Sequence, residues 1–167
     1  KCLSVSGQQH GLVALDRRGK LAKSTSKLWN DCSTQKECDI LTESIGGKDR
    51  MISEISNSQR TGYTASKIFH MQRSEIESFN NTYQFLLVHN YVNYFLTGGV
   101  FAMEEGDASG TGLWDPVKKK WSESLISIIS EDLLSKLPPV SSSIESIGNI
   151  SKELVKEYGF NSTCRID

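Results

Sequence analysis

Short apolar runs of strand length alternate with segments of helical period along this sequence, and this alternation limits the fold more than any other feature. Leu12–Leu15 and Phe85–Val88 are continuous apolar runs, which is typical of buried strands. Between Trp121 and Ile129, apolar residues recur at positions i, i+4, i+7 and i+8, the spacing of one helix face. Further helices are predicted for residues 48–55, 65–73, 90–96 and 151–158, and a small-residue loop for 107–111. Because the segments are mixed without an internal repeat, the sequence predicts one compact α/β unit.

The composition excludes several classes of partner. The chain has 167 residues, of which 37% are hydrophobic and 23% charged, as in an ordinary globular domain. A formal net charge of -1 and scattered lysines give no basic surface for a nucleic-acid backbone or an anionic membrane. No apolar run approaches the roughly 20 residues that a membrane helix needs. We therefore expect no nucleic-acid partner, no membrane span and a cytoplasmic location.

Several kinds of catalytic or metal site are also missing from the sequence. The four cysteines form no CxxC pair and the three histidines are far apart in sequence, whereas structural zinc needs closely spaced ligands. No GxSxG motif of a serine hydrolase is present, nor a GxxxxGK[ST] phosphate loop. We expect no metal ion bound to this chain.

The segment SGQQHG, at residues 6–11, interrupts two apolar runs with a turn. Gly7 and Gly11 allow the backbone to turn tightly and to approach a ligand closely. The glutamine amides, Gln9 among them, and the His10 imidazole can each donate and accept hydrogen bonds, which suits a hydroxyl-rich ligand. The alternative is a polar β-turn that satisfies only its own backbone.

Four other residues are candidates for a ligand site, each with a structural alternative. Trp29 could form the wall of a pocket while Asp31 orients a neighbouring group; otherwise Trp29 lies in the core and Asp31 caps a helix. Arg60 could reach a bound polyol, or it is a solvated surface charge. Asp107 begins a stretch of small residues that could expose amides to a phosphate, or that forms a purely structural loop.

Taken in order, these segments resemble the xylulokinase branch of the FGGY carbohydrate kinases. The matching pieces are SGQQHG at 6–11, LWND at 28–31, TGYTASK at 61–67, FLTGG at 95–99, DASGTGLWD at 107–115, KKW at 119–121 and YGF at 158–160. The resemblance extends over essentially the whole chain.

The resemblance implies a ribonuclease H-like fold of the actin and hexokinase type, with two domains around a cleft. Residues 1–167 would be part of the N-terminal, sugar-binding domain, without the C-terminal ATP-binding domain. The implied reaction transfers the γ-phosphate of ATP, with Mg²⁺, to D-xylulose and gives D-xylulose 5-phosphate. It also allows a homodimer of the full-length protein. The alternatives are an FGGY kinase for another ketose, polyol or sugar acid, and a sugar-binding or interaction module without catalysis.

The resemblance also implies roles for individual residues. Gln9 and His10 would contact the sugar, and Arg60 would be a further contact if one residue is skipped before the Thr-Gly pair. Three further residues would form the wall of the pocket or support it through their neighbours: Trp29, Asp31 and Asp107.

Two parts of the family pattern do not fall within the chain. The Asp-x-Gly-Thr phosphate loop should precede Lys1, and the Gly-Asp-Asn segment with the catalytic base should follow Asp167, which is itself not assigned as the base. We therefore expect a domain that is incomplete at both ends and holds no catalytic residue. We also expect that this chain alone binds neither ATP nor Mg²⁺ and is inactive.

Overall fold

The computed structural model describes residues 1–167, and its alternation of helices and short strands confirms the predicted α/β class. The helices are α1 (Gln35–Ser44), α2 (Lys48–Ile55), α3 (Thr64–Ser74), α4 (Ile76–Asn81), α5 (Val88–Thr97), α6 (Glu105–Gly110), α7 (Glu123–Ile129) and α8 (Lys152–Tyr158), with a 3₁₀ turn at Leu133–Lys136. The strands are β1 (Cys2–Leu3), β2 (Val13–Leu15), β3 (Gln84–Leu86), β4 (Met103–Glu104), β5 (Trp114–Asp115), β6 (Lys120–Trp121), β7 (Val140–Ser141), β8 (Gly148–Asn149) and β9 (Arg165–Ile166). None of the helices has the length and apolarity that crossing a membrane requires.

The strand pairings bring the SGQQHG turn next to helix α5. Strand β2 pairs antiparallel with β3, and Val13 lies opposite Leu86. The residues that precede β2 are therefore beside the residues that follow β3, where α5 begins. Strand β1, on the other side of the turn, runs parallel to β9, and β8 pairs with β9 in the opposite direction.

The main core lies between the helices and the β2–β3 pair. Helix α3 packs against α1, α4 and α7, and its buried face contributes Ile68 to a large apolar cluster. Phe85 from β3 and Leu125 from α7 belong to the same cluster. A smaller cluster around Leu154 and Ile166 joins α8 to the three-stranded sheet. The turn at 6–11 thus leads directly into the main core, to which the next residue, Leu12, belongs.

The predicted loop at 107–111 is wrong, because most of this segment is helix α6. The carboxylate of Glu104 accepts hydrogen bonds from the Gly106 and Asp107 amides, which caps the first turn of the helix. Ala108 is completely buried, so packing holds a glycine-containing stretch in a helical conformation that its composition disfavours.

The helix predicted from Trp121 begins two residues later, at Glu123. Trp121 lies in β6 and packs edge-to-face against Trp114 of β5, with ring centroids 5.2 Å apart. Ser122 then caps α7, and its side chain accepts a hydrogen bond from the Leu125 amide at 3.3 Å. The aromatic pair therefore takes Trp121 out of the helical pattern.

Leu125 gives a direct test of this core. Its side chain is 0% exposed, so we expect Leu125→Ala to lower the free energy of unfolding by about 2–5 kcal/mol, measured by urea denaturation. Ile144 is 92% exposed, and Ile144→Ala should change the same quantity by less than about 0.5 kcal/mol. Equal effects of the two variants would contradict the packing described.

Candidate functional site

The turn at 6–11 is shaped by close packing against α5. A Cβ atom added to Gly7 would lie 2.9 Å from Cβ of His89, and one added to Gly11 would lie 2.7 Å from Cγ2 of Val88. Both positions therefore require glycine, because a side chain would collide with helix α5. His10 has the left-handed backbone conformation, with φ of 65°, which is uncommon for a residue with a side chain.

A buried polar cluster lies directly behind this turn. His89 and Asp107 are 7% and 6% exposed, and Nε2 of His89 is hydrogen-bonded to Oδ2 of Asp107. Nδ2 of Asn90 donates to the same carboxylate oxygen at 3.3 Å. The cluster joins the first turn of α5 to α6, on which the small residues of the DASGT segment lie.

Charge stabilises this cluster in one protonation state. The hydrogen bond to Asp107 raises the pKa of His89, although burial acts in the opposite direction. Burial alone would raise the pKa of Asp107. The hydrogen bond and the charge of His89 outweigh burial, with help from hydrogen bonds to Asn90 and Gln9, and the pKa of Asp107 falls below its ordinary value. The cluster therefore favours a protonated imidazole beside an ionised carboxylate.

His10 is half-buried between two other segments. A Cβ atom at Gly110 of α6 would lie 3.0 Å from Cε1 of His10, and the ring of Tyr63 lies 4.7 Å away between centroids. Burial first, and then the positive charge of Lys67, lower the pKa of His10, against opposing contributions from the Gly110 backbone and Asp107. His10 is therefore neutral near pH 7 and has one donor and one acceptor nitrogen.

The segment that contains Arg60 lies beside the turn at 6–11. The Tyr63 amide donates to the Arg60 carbonyl at 2.9 Å, which closes a turn at 60–63 just before α3. Tyr63 contacts His10, so this turn lies beside the turn at 6–11. The side chain of Arg60 is exposed. Gln9 is also exposed, and its Oε1 lies 3.7 Å from a Cβ placed on Gly110.

Trp29 and Asp31 lie at the edge of this region. Trp29 is 57% exposed, which rules out the alternative that it lies in the core, and its carbonyl oxygen lies 2.6 Å from a Cβ placed on Gly62. Asp31 does not cap helix α1, because Thr34 precedes that helix. Its carboxylate accepts from the Ser33 amide at 2.8 Å, and hydrogen bonding to Ser33 lowers the pKa of Asp31.

A polar cavity of about 160 Å³ lies on the other side of the His89–Asp107 pair. Ser4, Asn90 and Asn93 line it together with this pair. Asp107 is thus the one predicted site residue in its wall, while Gln9, His10 and Arg60 lie outside it.

Sequence reasoning missed four residues that hold the region together: Tyr63, Lys67, His89 and Asn90. Tyr63 and Lys67 lie within the quoted TGYTASK segment, but no local pattern marks them as functional. The three histidines are far apart in sequence, yet His10 and His89 both lie against the segment 107–110.

Comparison with known proteins identifies the family. The sequence matches the N-terminal domain of the FGGY family of carbohydrate kinases over residues 1–166. The chain belongs to the FGGY family of carbohydrate kinases. The resemblance drawn from the sequence motifs is therefore confirmed.

Individual FGGY relatives agree with this assignment. The xylulose kinase of Haemophilus influenzae is 40% identical over 164 residues, which cover 96% of this chain and 33% of that protein. The xylulose kinase of Bacillus subtilis is 33% identical over 159 residues, covering 94% of this chain and 30% of that protein. The chain thus spans about a third of the length of the curated relatives it matches.

Solved structures confirm the ribonuclease H-like fold of the FGGY kinases. A crystal structure described as a xyloylose kinase from Brucella ovis matches with a TM-score of 0.86 and 25% identity, covering 99% of this chain and 32% of that one. Plasmodium falciparum glycerol kinase with ADP matches with a TM-score of 0.84 and 20% identity, covering 99% and 33%. The second likeness concerns the fold alone.

The His89–Asp107 pair gives a prediction about pH. The pKa of His89 is higher in the folded chain than the value of about 6.5 expected for the unfolded chain. His89 therefore stabilises the fold fully below about pH 6.5, and this stabilisation is lost as the pH rises through the folded-state pKa. Asp107→Asn should therefore lower the pKa of His89 and flatten the loss of stability above about pH 6.5. NMR titration of the imidazole and urea denaturation at several pH values would measure both effects.

Asp132→Asn is the control for this experiment, because Asp132 also has a lowered pKa, through a hydrogen bond to Ser130, but lies in an exposed position. It should leave the pKa of His89 unchanged. A His89 pKa that does not move in Asp107→Asn would contradict the pairing.

Proposed function

We propose that residues 1–167 supply part of the sugar site of an ATP-dependent kinase that converts D-xylulose to D-xylulose 5-phosphate. The observation that carries the proposal is the turn at 6–11, where His10, in a left-handed backbone conformation, lies beside Gln9 and the Arg60–Tyr63 turn. The xylulose kinases that match nearly the whole chain support the same substrate.

The chemistry of these side chains suits a polyol. A sugar hydroxyl both donates and accepts hydrogen bonds, and so do the Gln9 amide and a neutral imidazole. Arg60 adds a group of several N–H donors. In phosphoryl transfer the acceptor hydroxyl must be held in line with the phosphate, and this positioning accounts for much of the rate enhancement. His10 and Gln9 would orient the sugar, while Asp107 would hold the turn in place through His89.

The N-terminus of α6 does not offer the amides of Gly106 and Asp107 to a phosphate of ATP. The first amides of α6 are already bonded to the Glu104 carboxylate, whose negative charge would also repel a phosphate. We therefore propose that residues 1–167 are part of the sugar-binding N-terminal domain, and that ATP and Mg²⁺ are bound by polypeptide outside them. No residue of this chain is assigned as a catalytic base.

A kinase for another sugar is the second candidate. Structures described as gluconate kinase and xylulose kinase, both from Lactobacillus acidophilus, match the chain with the same TM-score of 0.83, so the fold does not select the substrate. The exposed guanidinium of Arg60 would also suit the carboxylate of a sugar acid, with which arginine forms paired hydrogen bonds.

A chimaeric kinase tests the choice of substrate. In this chimaera, residues 1–167 replace the matched segment of the Haemophilus influenzae xylulose kinase, and ATP turnover is measured with D-xylulose, D-ribulose, L-ribulose, L-xylulose, glycerol and gluconate. We expect the highest kcat/KM for D-xylulose, and no turnover by residues 1–167 alone. A clear preference for gluconate or another sugar would contradict D-xylulose as the substrate. Failure with every sugar, in a folded chimaera, would favour a non-catalytic binding module.

His10→Ala in the chimaera tests the site itself. Loss of the imidazole hydrogen bonds should lower kcat/KM for D-xylulose by about 10-fold to 100-fold. His70→Ala is the matched control, because His70 lies on α3 near Glu37 and Glu75 and has no proposed role in sugar binding. Equal kinetics in the two variants would exclude His10 as a sugar contact.

A further inference from the structure

Lys67 on α3 is a buried lysine without an acidic partner. Its side chain is among the largest that are fully buried, at 1% exposure, and it forms no salt bridge. Its ammonium group donates instead to two backbone carbonyls, that of His10 at 2.7 Å and that of Gly62 at 2.6 Å. Because carbonyl dipoles compensate only partly for lost hydration, burial lowers the pKa of Lys67 to about 8.

The other buried lysine shows how unusual this arrangement is. Lys136, at 8% exposure, donates to the Thr82 carbonyl at 2.7 Å and also forms a salt bridge with Asp132 at 3.3 Å. It has an acidic partner and joins the 3₁₀ turn to the chain before β3. Lys67 has no acidic partner, so its polar interactions are the hydrogen bonds that it donates to the two carbonyls.

These two carbonyls belong to the two turns that carry the predicted sugar contacts. The His10 carbonyl lies in the turn with Gln9, and the Gly62 carbonyl lies in the turn that begins at Arg60. His10 is 57 residues from Lys67 in sequence and Gly62 only 5, yet both carbonyls converge on one ammonium group. Loss of that group would leave two partly buried acceptors without this donor, which is costly, and the turns would be free to separate.

We propose that Lys67 is a positioning residue that fixes the two sugar-contacting turns relative to each other, through the backbone carbonyls of His10 and Gly62 and without touching the sugar. The effect of Lys67 on catalysis rests on the proposed function. The pair of hydrogen bonds from Lys67 to the two carbonyls, called the clamp below, is a property of this chain. The positive charge of Lys67 also helps to lower the pKa of His10, and so to keep its imidazole neutral.

Other charged and titratable groups surround Lys67. They come from each neighbouring segment: His10 from the turn, Lys27 and Asp31 from the segment after β2, and His70, Lys23 and Glu75 from the wall of a shared cavity. Asp31 raises the pKa of Lys67 and Lys27 lowers it, and both effects are smaller than that of burial.

The kinetic test uses Lys67→Met, with Lys136→Met as the matched loss of a buried lysine. In the chimaera, Lys67→Met should raise the KM for D-xylulose by about 10-fold to 100-fold while the KM for ATP stays unchanged, because only the sugar contacts are misplaced. Lys136→Met should lower stability without changing either KM. Lys67→Arg retains the charge and the donors, and should recover part of the affinity for the sugar. A similar KM for D-xylulose in Lys67→Met and Lys136→Met would overturn the proposal.

NMR of residues 1–167 tests the clamp without any sugar, so that its failure is distinct from failure of the proposed function. In Lys67→Met the amide signals of Gly11 and Tyr63, which follow the two carbonyls, should shift, and the pKa of His10 should rise. Neither change should occur in Lys136→Met. If the chimaera does not phosphorylate D-xylulose but these shifts are seen, the proposed function fails and the clamp stands.

The wild-type chain gives a measurement that does not depend on a folded variant. With ¹⁵N-labelled lysine, one side-chain signal should titrate with a pKa of about 8, and the Gly11 and Tyr63 amides should move over the same pH range. Titration of every lysine near its ordinary pKa of about 10.4, with no movement of these amides, would overturn the proposal.

Discussion

The buried pair of His89 and Asp107 is the interaction on which the arrangement of the site depends. A carboxylate at this depth is tolerated only when hydrogen bonds and an opposite charge compensate for its lost hydration, and His89 and Asn90 provide both. Because His89 belongs to α5 and Asp107 to α6, the pair holds these helices together behind the turn at 6–11. Gly7 then allows the turn to rest directly on His89. The turn therefore packs against one member of the buried charge pair.

The two histidines have complementary electrostatic roles. His89 has a carboxylate partner that favours its charged form, whereas burial and the nearby Lys67 favour the neutral form of His10. A charged imidazole could only donate hydrogen bonds, but a neutral one also accepts them, as a polyol ligand requires. The surroundings therefore favour a charged His89, which pairs with Asp107, and a neutral His10, whose ring can both donate and accept hydrogen bonds. Backbone strain at His10, with its left-handed conformation, fits a residue that its surroundings hold in place.

The sequence predicted the elements whose signals are local. The run at Leu12–Leu15 contains β2, and the helix predicted at 48–55 is α2. The run at Phe85–Val88 overlaps β3 only at Phe85 and Leu86, because Leu87 caps α5 and Val88 begins it. Helix α6 was missed because its cap comes from Glu104 and its stability from packing of Ala108, neither of which small-residue composition reveals. Lys67 was missed as a functional residue because its contact with His10 spans 57 residues of sequence. The family was recognised because several short motifs occur in one order, although each alone is too short to be specific.

Sugar binding at the turn of residues 6–11 is the proposal on which the roles of His10 and Lys67 in catalysis rest. A crystal structure of the chimaeric kinase with D-xylulose would show whether the sugar occupies this turn. We expect a sugar hydroxyl within about 3.2 Å of an imidazole nitrogen of His10, with Lys67 still bound to the two carbonyls and remote from the sugar. D-xylulose bound elsewhere in the chimaera, with the His10 imidazole making no contact to it, would exclude this turn as the sugar site.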